Sequence, residues 1–302
     1  LHDVNLEVFL ALIQSDHLLT QYDVMRERLL FLGERPSLNP VETEEYCQLV
    51  RRLSIPRETL ANSQSALEIM NDPTSFYDPD QYNQAYDDLR GVSRFYFGDH
   101  PLDNAASLDV VDRLFNLLDK PFDDPITYAL THGILDRIVE EQPDLIGISV
   151  PFMVSYWEAM RLARLIKQRM PKTPILLGGA LIESYQNIFM ADSRLFSLYD
   201  FVIEGDGDLA LPKLAHTLER NEDLNQVPNL YFLNDKGQPQ FTFHQRVEDL
   251  SSLPTPDFSG LPLADYPVPE VGATFQTSRG CYYGKCTFCS EVFRENYRLR
   301  KP

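Results

Sequence analysis

The chain has 302 residues, 43% of them hydrophobic and 24% charged, and its 27 basic against 45 acidic residues give a net charge of −18. So acidic a surface repels phosphate backbones and argues against a nucleic-acid partner. No apolar run reaches the roughly 20 residues that cross a bilayer, and Leu1-His2-Asp3-Val4-Asn5 is not a signal peptide, so neither a membrane partner nor secretion is expected. The length suits one large domain or two smaller ones. Three of the four cysteines fall within nine positions near the C-terminus. A disulfide scaffold would spread them through the chain, so a reducing, cytoplasmic compartment is expected. The chain opens inside a helical pattern, without an initiator Met, and stops at Pro302, which reads as a fragment of a longer protein.

Residues 1–103 are rich in helical spacing and poor in strand signals. Leu6, Phe9, Leu10 and Ile13 share one face, as do Leu18, Tyr22, Met25 and Leu29. Residues 41–53 and 57–70 continue the pattern, and Cys47 is expected as a half-buried helical residue. The Pro and Asp clusters at 71–74 and 77–80 read as turns. Two amphipathic helices follow, one with Leu108, Val111, Leu114, Leu117 and Leu118 inward, and one over 126–141.

The pattern then turns to strand, turn and helix, three times over. Asp144 to Val150 is a nearly continuous apolar run, as in a strand buried on both faces of a parallel sheet. Ser155 and Glu158 have capping-box spacing ahead of a helix, with Arg161, Arg164, Lys167 and Arg169 expected mostly outward. Pro174 to Ala180 is a strand ending in Gly178-Gly179-Ala180, with a helix near 182–190. Tyr199 to Glu204 is a strand ending in Gly205-Asp206-Gly207-Asp208, with a helix over 209–220. The repeat predicts an α/β fold with a Rossmann-like, doubly wound parallel sheet. Ligands of such sheets sit beyond the carboxyl ends of the strands, the edge that Ser149, Gly178-Gly179 and Gly205-Asp206-Gly207 share. Asp206 and Asp208 read most simply as helix caps.

Asn229–Asn234 and Gln240–His244 flank a hairpin turn, prolines from 254 to 269 mark a linker, and Ala273–Thr277 predicts a strand. Next comes Thr277-Ser278-Arg279-Gly280-Cys281-Tyr282-Tyr283-Gly284-Lys285-Cys286-Thr287-Phe288-Cys289. Residues 291–300 predict a helix whose Arg294, Arg298, Arg300 and Lys301 form a solvated face. Thiolates bind soft metals, and three on one tight loop can face a single centre. Three ligands with no fourth suit a [4Fe–4S] cluster with an open iron. A structural zinc site wants four, and zinc binding or inert thiols are the alternative readings.

This loop resembles the motif of the radical S-adenosylmethionine (radical SAM) enzymes, usually C-x3-C-x2-C with an aromatic residue before the last Cys. Phe288 holds that position, while the first gap here is four residues. With the upstream turns, residues 105–302 look like the cobalamin-dependent members of that family. The resemblance implies that Cys281, Cys286 and Cys289 hold the cluster, that Phe288 touches S-adenosyl-L-methionine, and that Ser149, Gly178, Gly179, Ala180, Gly205, Asp206 and Gly207 contact cobalamin. The sequence has no Asp-x-His-x-x-Gly motif, which in other cobalamin proteins supplies a histidine to cobalt. An enzyme of methyl transfer, or of radical cyclisation or rearrangement, is implied, acting on a small molecule or peptide and fed by a flavodoxin or ferredoxin. A cofactor-binding or sensing module with zinc-bound cysteines is the alternative. The expected organisation is a helix-rich region at 1–103, a cobalamin-binding domain at 104–225, a hairpin and linker at 226–270, and the first strand, cluster loop and helix of a radical SAM barrel at 271–302.

Overall fold

The computed structural model describes residues 1–97, 110–119, 125–152, 155–184, 190, 192–289 and 297–301. Its contacts divide it into two compact units: residues 1–103, 122–134 and 258–273, and residues 104–121, 135–257 and 274–302.

The first unit is helical: α1 (Val4–Leu12), α2 (Ser15–Gly33), α3 (Pro40–Leu53), α4 (Arg57–Ala61), α5 (Ser63–Asn71), α6 (Pro73–Phe76), α7 (Pro79–Phe97) and α9 (Pro125–Ala129). The Pro and Asp clusters read as turns prove to be helix starts. Asp72 accepts the Ser75 amide ahead of Pro73, and Asp78 accepts the amides of Asp80 and Gln81 around Pro79. Proline suits the first helical turn because its missing N–H would have had no partner there. Asn39 and Glu42 form a full capping box on α3. Cys47, expected half-buried, is exposed on that helix.

The second unit carries α8 (Val110–Leu118), α10 (Asp136–Glu141), β1 (Ile146–Ser149), α11 (Tyr156–Arg169), β2 (Ile175–Gly178), α12 (Ala180–Ser184), β3 (Phe201–Ile203), α13 (Gly207–Arg220), β4 (Leu230–Leu233), β5 (Pro239–Phe241), β6 (Ser278–Arg279) and β7 (Arg298–Leu299). The helix expected over 126–141 is realised as α9, a π-helical turn at Leu130–Leu135, and α10. Strand order is β1-β2-β3-β4-β5, parallel from β1 to β3 and antiparallel from there on. The fold is Rossmann-like, three parallel strands alternating with helices. The predicted hairpin pairs with β3 and extends the same sheet. β2 and β3 are buried throughout apart from Gly178. Alternate residues Leu176, Phe201, Ile203, Leu230 and Phe232 pack on Ala210 and Leu214 of α13. β1 departs from its reading as a strand buried on both faces: it ends the described sheet, and Gly147 and Ser149 are exposed.

Four local expectations are corrected. Ser155 sits in helical geometry and its side chain caps nothing. Its hydroxyl cannot reach forward to the first amides of α11, and Glu158 lies beside Arg161 at 3.6 Å instead. Arg161 is buried with its guanidinium 5.3 Å from the Trp157 ring, the stem covering apolar surface. Residues 273–276 form no strand; pairing begins at Ser278. Arg298–Leu299 is strand rather than helix, and residues 290–296 of that expected helix lie outside the described ones.

Candidate functional site: the glycine-turn cavity and the cysteine loop

The three strand-end turns meet at one edge of the sheet because β1, β2 and β3 are parallel and in register. Ser149 of β1 lies opposite Gly178 of β2. Val150 N–H donates to the Gly178 carbonyl at 2.7 Å, and Leu181 N–H donates to the Val150 carbonyl at 3.2 Å. The approach leaves no room at Gly179. Its φ is +110°, and a Cβ there would lie 2.6 Å from the Val150 backbone, so only glycine fits.

Beyond the turns lies a cavity of about 580 Å3. Ser149, Gly178, Gly179, Ala180, Gly205, Asp206 and Gly207 all line it, joined by Gly147, Ile148, Leu176, Ile203 and Leu211. The first seven share one edge in the sequence pattern, and the structure brings them to one wall. Gln276, Arg279 and Gly280, which no local pattern marks, complete the lining from a segment some seventy residues downstream. Arg279 ties that segment to the cavity wall through Asp206 and Asp208, a long-range contact with no periodic signature.

Four of the lining glycines, Gly147, Gly178, Gly205 and Gly207, have open space where a Cβ would stand. The cavity is therefore a cradle that side chains would fill, with apolar walls and a few convergent polar groups, the usual make-up of a cofactor site. No histidine is among the described lining residues. A flat, amide-fringed corrin suits a cradle that is open at its glycines and apolar along its wall.

Asp206 stands at the head of α13, yet its carboxylate caps nothing. It is 7% exposed and accepts the Val247 amide at 3.1 Å. Arg298, itself 5% exposed, reaches Asp206 Oδ2 with Nη1 at 2.5 Å and also donates to the Val247 carbonyl at 2.7 Å. Arg279 donates from Nη1 to Asp206 Oδ1 at 2.8 Å and holds Asp208 with both terminal nitrogens. The expectation of a solvated basic face thus fails at Arg298. A guanidinium fork that meets one buried carboxylate stabilises its burial. Burial pushes the Asp206 carboxyl up, but the Arg298 hydrogen bond, the Val247 amide and both guanidinium charges outweigh it, so it lies below the ordinary carboxylate range. Asn229, left-handed at φ 59°, fixes the same turn by donating to the Asp206 carbonyl at 3.2 Å. Behind it, Tyr231 donates its hydroxyl to the buried Glu204 carboxylate.

The cysteine loop follows β6. Gly280 and Gly284 take φ +77° and +56°, turning the chain back on itself. The Gly284 and Tyr283 amides donate to the Cys281 sulfur and hold its thiol below the ordinary range. Cys289 N–H donates to the Cys286 carbonyl at 3.2 Å. The aromatics are turned outward, Phe288 being 91% exposed. Thiolates at this spacing have the right chemistry for an iron–sulfur cluster. Yet among the described residues no group of three or more His, Cys, Asp or Glu is placed to hold a metal ion. As arranged here, Cys281, Cys286 and Cys289 are not a closed ligand set. No described helix is long and apolar enough to cross a membrane.

Residues 109–215, the segment that supplies all three glycine turns, match the B12 binding domain family. The chain is 29% identical over 168 residues to the hopanoid C-3 methylase of Methylococcus capsulatus, covering 52% of this chain and 30% of that one. It is 26% identical over 187 residues to the cobalamin-dependent radical SAM methyltransferase TokK of Streptomyces tokunonensis, covering 60% of this chain and 26% of that one. Among solved structures, the cobalamin-dependent S-adenosylmethionine radical enzyme OxsB with aqua-cobalamin and S-adenosylmethionine bound aligns with a TM-score of 0.47 at 23% identity, over 56% of this chain and 23% of that chain. Residues 109–215 thus match a B12-binding domain, within a chain similar in sequence to cobalamin-dependent radical SAM enzymes. The chain spans about a third or less of the length of these curated relatives.

Proposed function

We propose that the glycine-turn cavity binds cobalamin, and that the chain is the cobalamin-binding part, with the opening of the catalytic barrel, of a cobalamin-dependent radical SAM enzyme. The observation that carries this reading is the convergence of all three turns of the matched segment on one cradle, whose glycines leave it open. When bound, the corrin supplies a cobalt centre that accepts and passes on a methyl group, so methyl transfer is the proposed reaction class. Gly147, Gly178, Gly205 and Gly207 admit the macrocycle by having no side chain. Ser149, Gln276 and Arg279 offer polar groups at the rim, and Ile148, Leu176, Ile203 and Leu211 exclude water from the wall.

Cys281, Cys286 and Cys289 are proposed as ligands of a [4Fe–4S] cluster on the strength of residue type and spacing, with Phe288 beside S-adenosyl-L-methionine. That ligand set requires the loop to close further than it does here. An external electron donor of the flavodoxin or ferredoxin class, a small-molecule or peptide substrate, and a cytoplasmic location complete the proposal.

The first test is retention of a corrin absorbance after the protein is mixed with hydroxocobalamin and gel-filtered. Gly178→Leu fills the cavity without a backbone clash and is expected to abolish retention; a full corrin spectrum in that variant removes the turns from the site. Anaerobic reconstitution with iron and sulfide tests the loop. About four irons per chain with broad visible absorbance support the cluster, whereas one zinc and no colour support the zinc-bound alternative.

A further inference from the structure

β6 and β7 form a ribbon of only two residue pairs, in which Arg279 stands directly opposite Arg298. Like charges facing each other across an antiparallel pair repel. A two-stranded ribbon of this size also has no stability of its own in water. What joins the two arginines is a carboxylate from elsewhere in the chain: Asp206 accepts from both. Asp206 also lies in the cavity wall, between Gly205 and Gly207. The segment bearing the three cysteines leaves the ribbon at Arg279 and returns to it at Arg298. One side chain therefore belongs to the cavity and to the base of the cysteine loop.

Resting on the reading of the cavity as a cobalamin site, we propose that Asp206 is a positioning residue: as the shared counter-ion of Arg279 and Arg298, it couples occupancy of the glycine-turn cavity to the order of the cysteine loop. A ligand seated against Gly205-Asp206-Gly207 restrains the carboxylate, and the carboxylate restrains both strands from which the loop hangs. Asn229 and the Val247 amide fix the turn from behind, so a displacement there is passed to the arginines rather than absorbed. Coupling of this kind is reciprocal, so a loop held in place favours the ligand by the same factor.

The test uses the full, metal-free chain and reads alkylation of each cysteine by N-ethylmaleimide, resolved by peptide mass spectrometry. Cys47, exposed in the helical unit, is the internal reference. Hydroxocobalamin is expected to slow alkylation of Cys281, Cys286 and Cys289 relative to Cys47 by about fivefold or more, the lower range of ordinary coupling. Asp206→Asn is expected to raise the loop rates in the ligand-free protein and to remove their response to hydroxocobalamin, with Asp206→Glu restoring part of it. Arg298 does not line the cavity, so Arg298→Lys is the second variant, should Asp206→Asn fail to fold. A lysine keeps the buried cation but cannot span Asp206 and the Val247 carbonyl, and it should give the same loss of response. Loop rates that match native with and without hydroxocobalamin, in whichever variant folds, overturn the proposal. If the native protein retains no hydroxocobalamin, the cobalamin reading falls by itself. The positioning role is then decided by the ligand-free loop rates, where a rise in the variant supports it and none overturns it.

Discussion

The cavity is built on three glycine turns, with Ile148, Leu176, Ile203 and Leu211 beside them. Its turns hang on β1, β2 and β3, with β2 and β3 buried on both faces, and hydrogen bonds from Val150 and Leu181 lock the first two turns together. The cysteine loop, in the same unit, has exposed aromatics, thiols that do not converge, and a ribbon of two residue pairs at its base. One site is shaped by turns that the sheet core holds. The other is shaped by a few charged side chains and leaves its last step to whatever binds. A preformed cradle beside an unfinished loop is a sensible division if the first ligand helps to order the second site.

The largest effect is expected at Gly179, where the cradle's backbone is tightest. Gly179→Val places a branched side chain against the Val150 backbone at a left-handed φ. It is expected to cost about 4 kcal/mol or more, the range reserved for a change the fold cannot absorb. Urea unfolding followed by near-UV circular dichroism checks it, and a shift under about 1 kcal/mol would show that the turn is plastic. Next is Arg298→Met, which removes one partner of a buried ion pair. A loss of about 3 kcal/mol is expected, the low end for such pairs because Arg279 still holds Asp206. Thermal unfolding of the variant beside Arg279→Met would show which arm carries more.

Acid titration probes the Asp206 carboxylate itself. The folded Asp206 carboxyl lies below its unfolded value, near 3.9 for an aspartate. Its stabilisation is therefore present above about pH 4 and is lost as pH falls through the lower folded value. The native protein should lose stability in that window more steeply than Asp206→Asn; parallel pH curves would deny the carboxylate its role. The smallest effect is expected at Phe288. Its ring is exposed, so Phe288→Ala should change unfolding by no more than about 0.5 kcal/mol. A larger loss would mean that the loop packs in solution against something absent from this arrangement.

The cavity was largely legible in the sequence because parallel strands with glycine-rich ends carry a local signature. Ser149, Gly178 and Gly205 could be placed on one edge from periodicity alone. The arginine junction was not legible. Arg298 follows a stretch with helical spacing and reads as a solvated base, since nothing near it in sequence marks a carboxylate 92 residues upstream. Asp206 likewise reads as a cap because it precedes a helix, and long-range pairing overrides that local preference. The cysteines were legible as chemistry but not as geometry, since spacing fixes which thiols can meet and not whether they do. The β1 misreading has the same root: a run of apolar residues does not say whether the strand is central or at an edge.

The far side of the sheet carries one more consequence. β5 is three residues long and begins with Pro239, which lacks the N–H that an incoming strand would use. Short edge strands interrupted by proline are poor templates for pairing between molecules. At high concentration the chain should therefore resist edge-to-edge association through β5, and Pro239→Val is the change that would expose it to fibrillar growth.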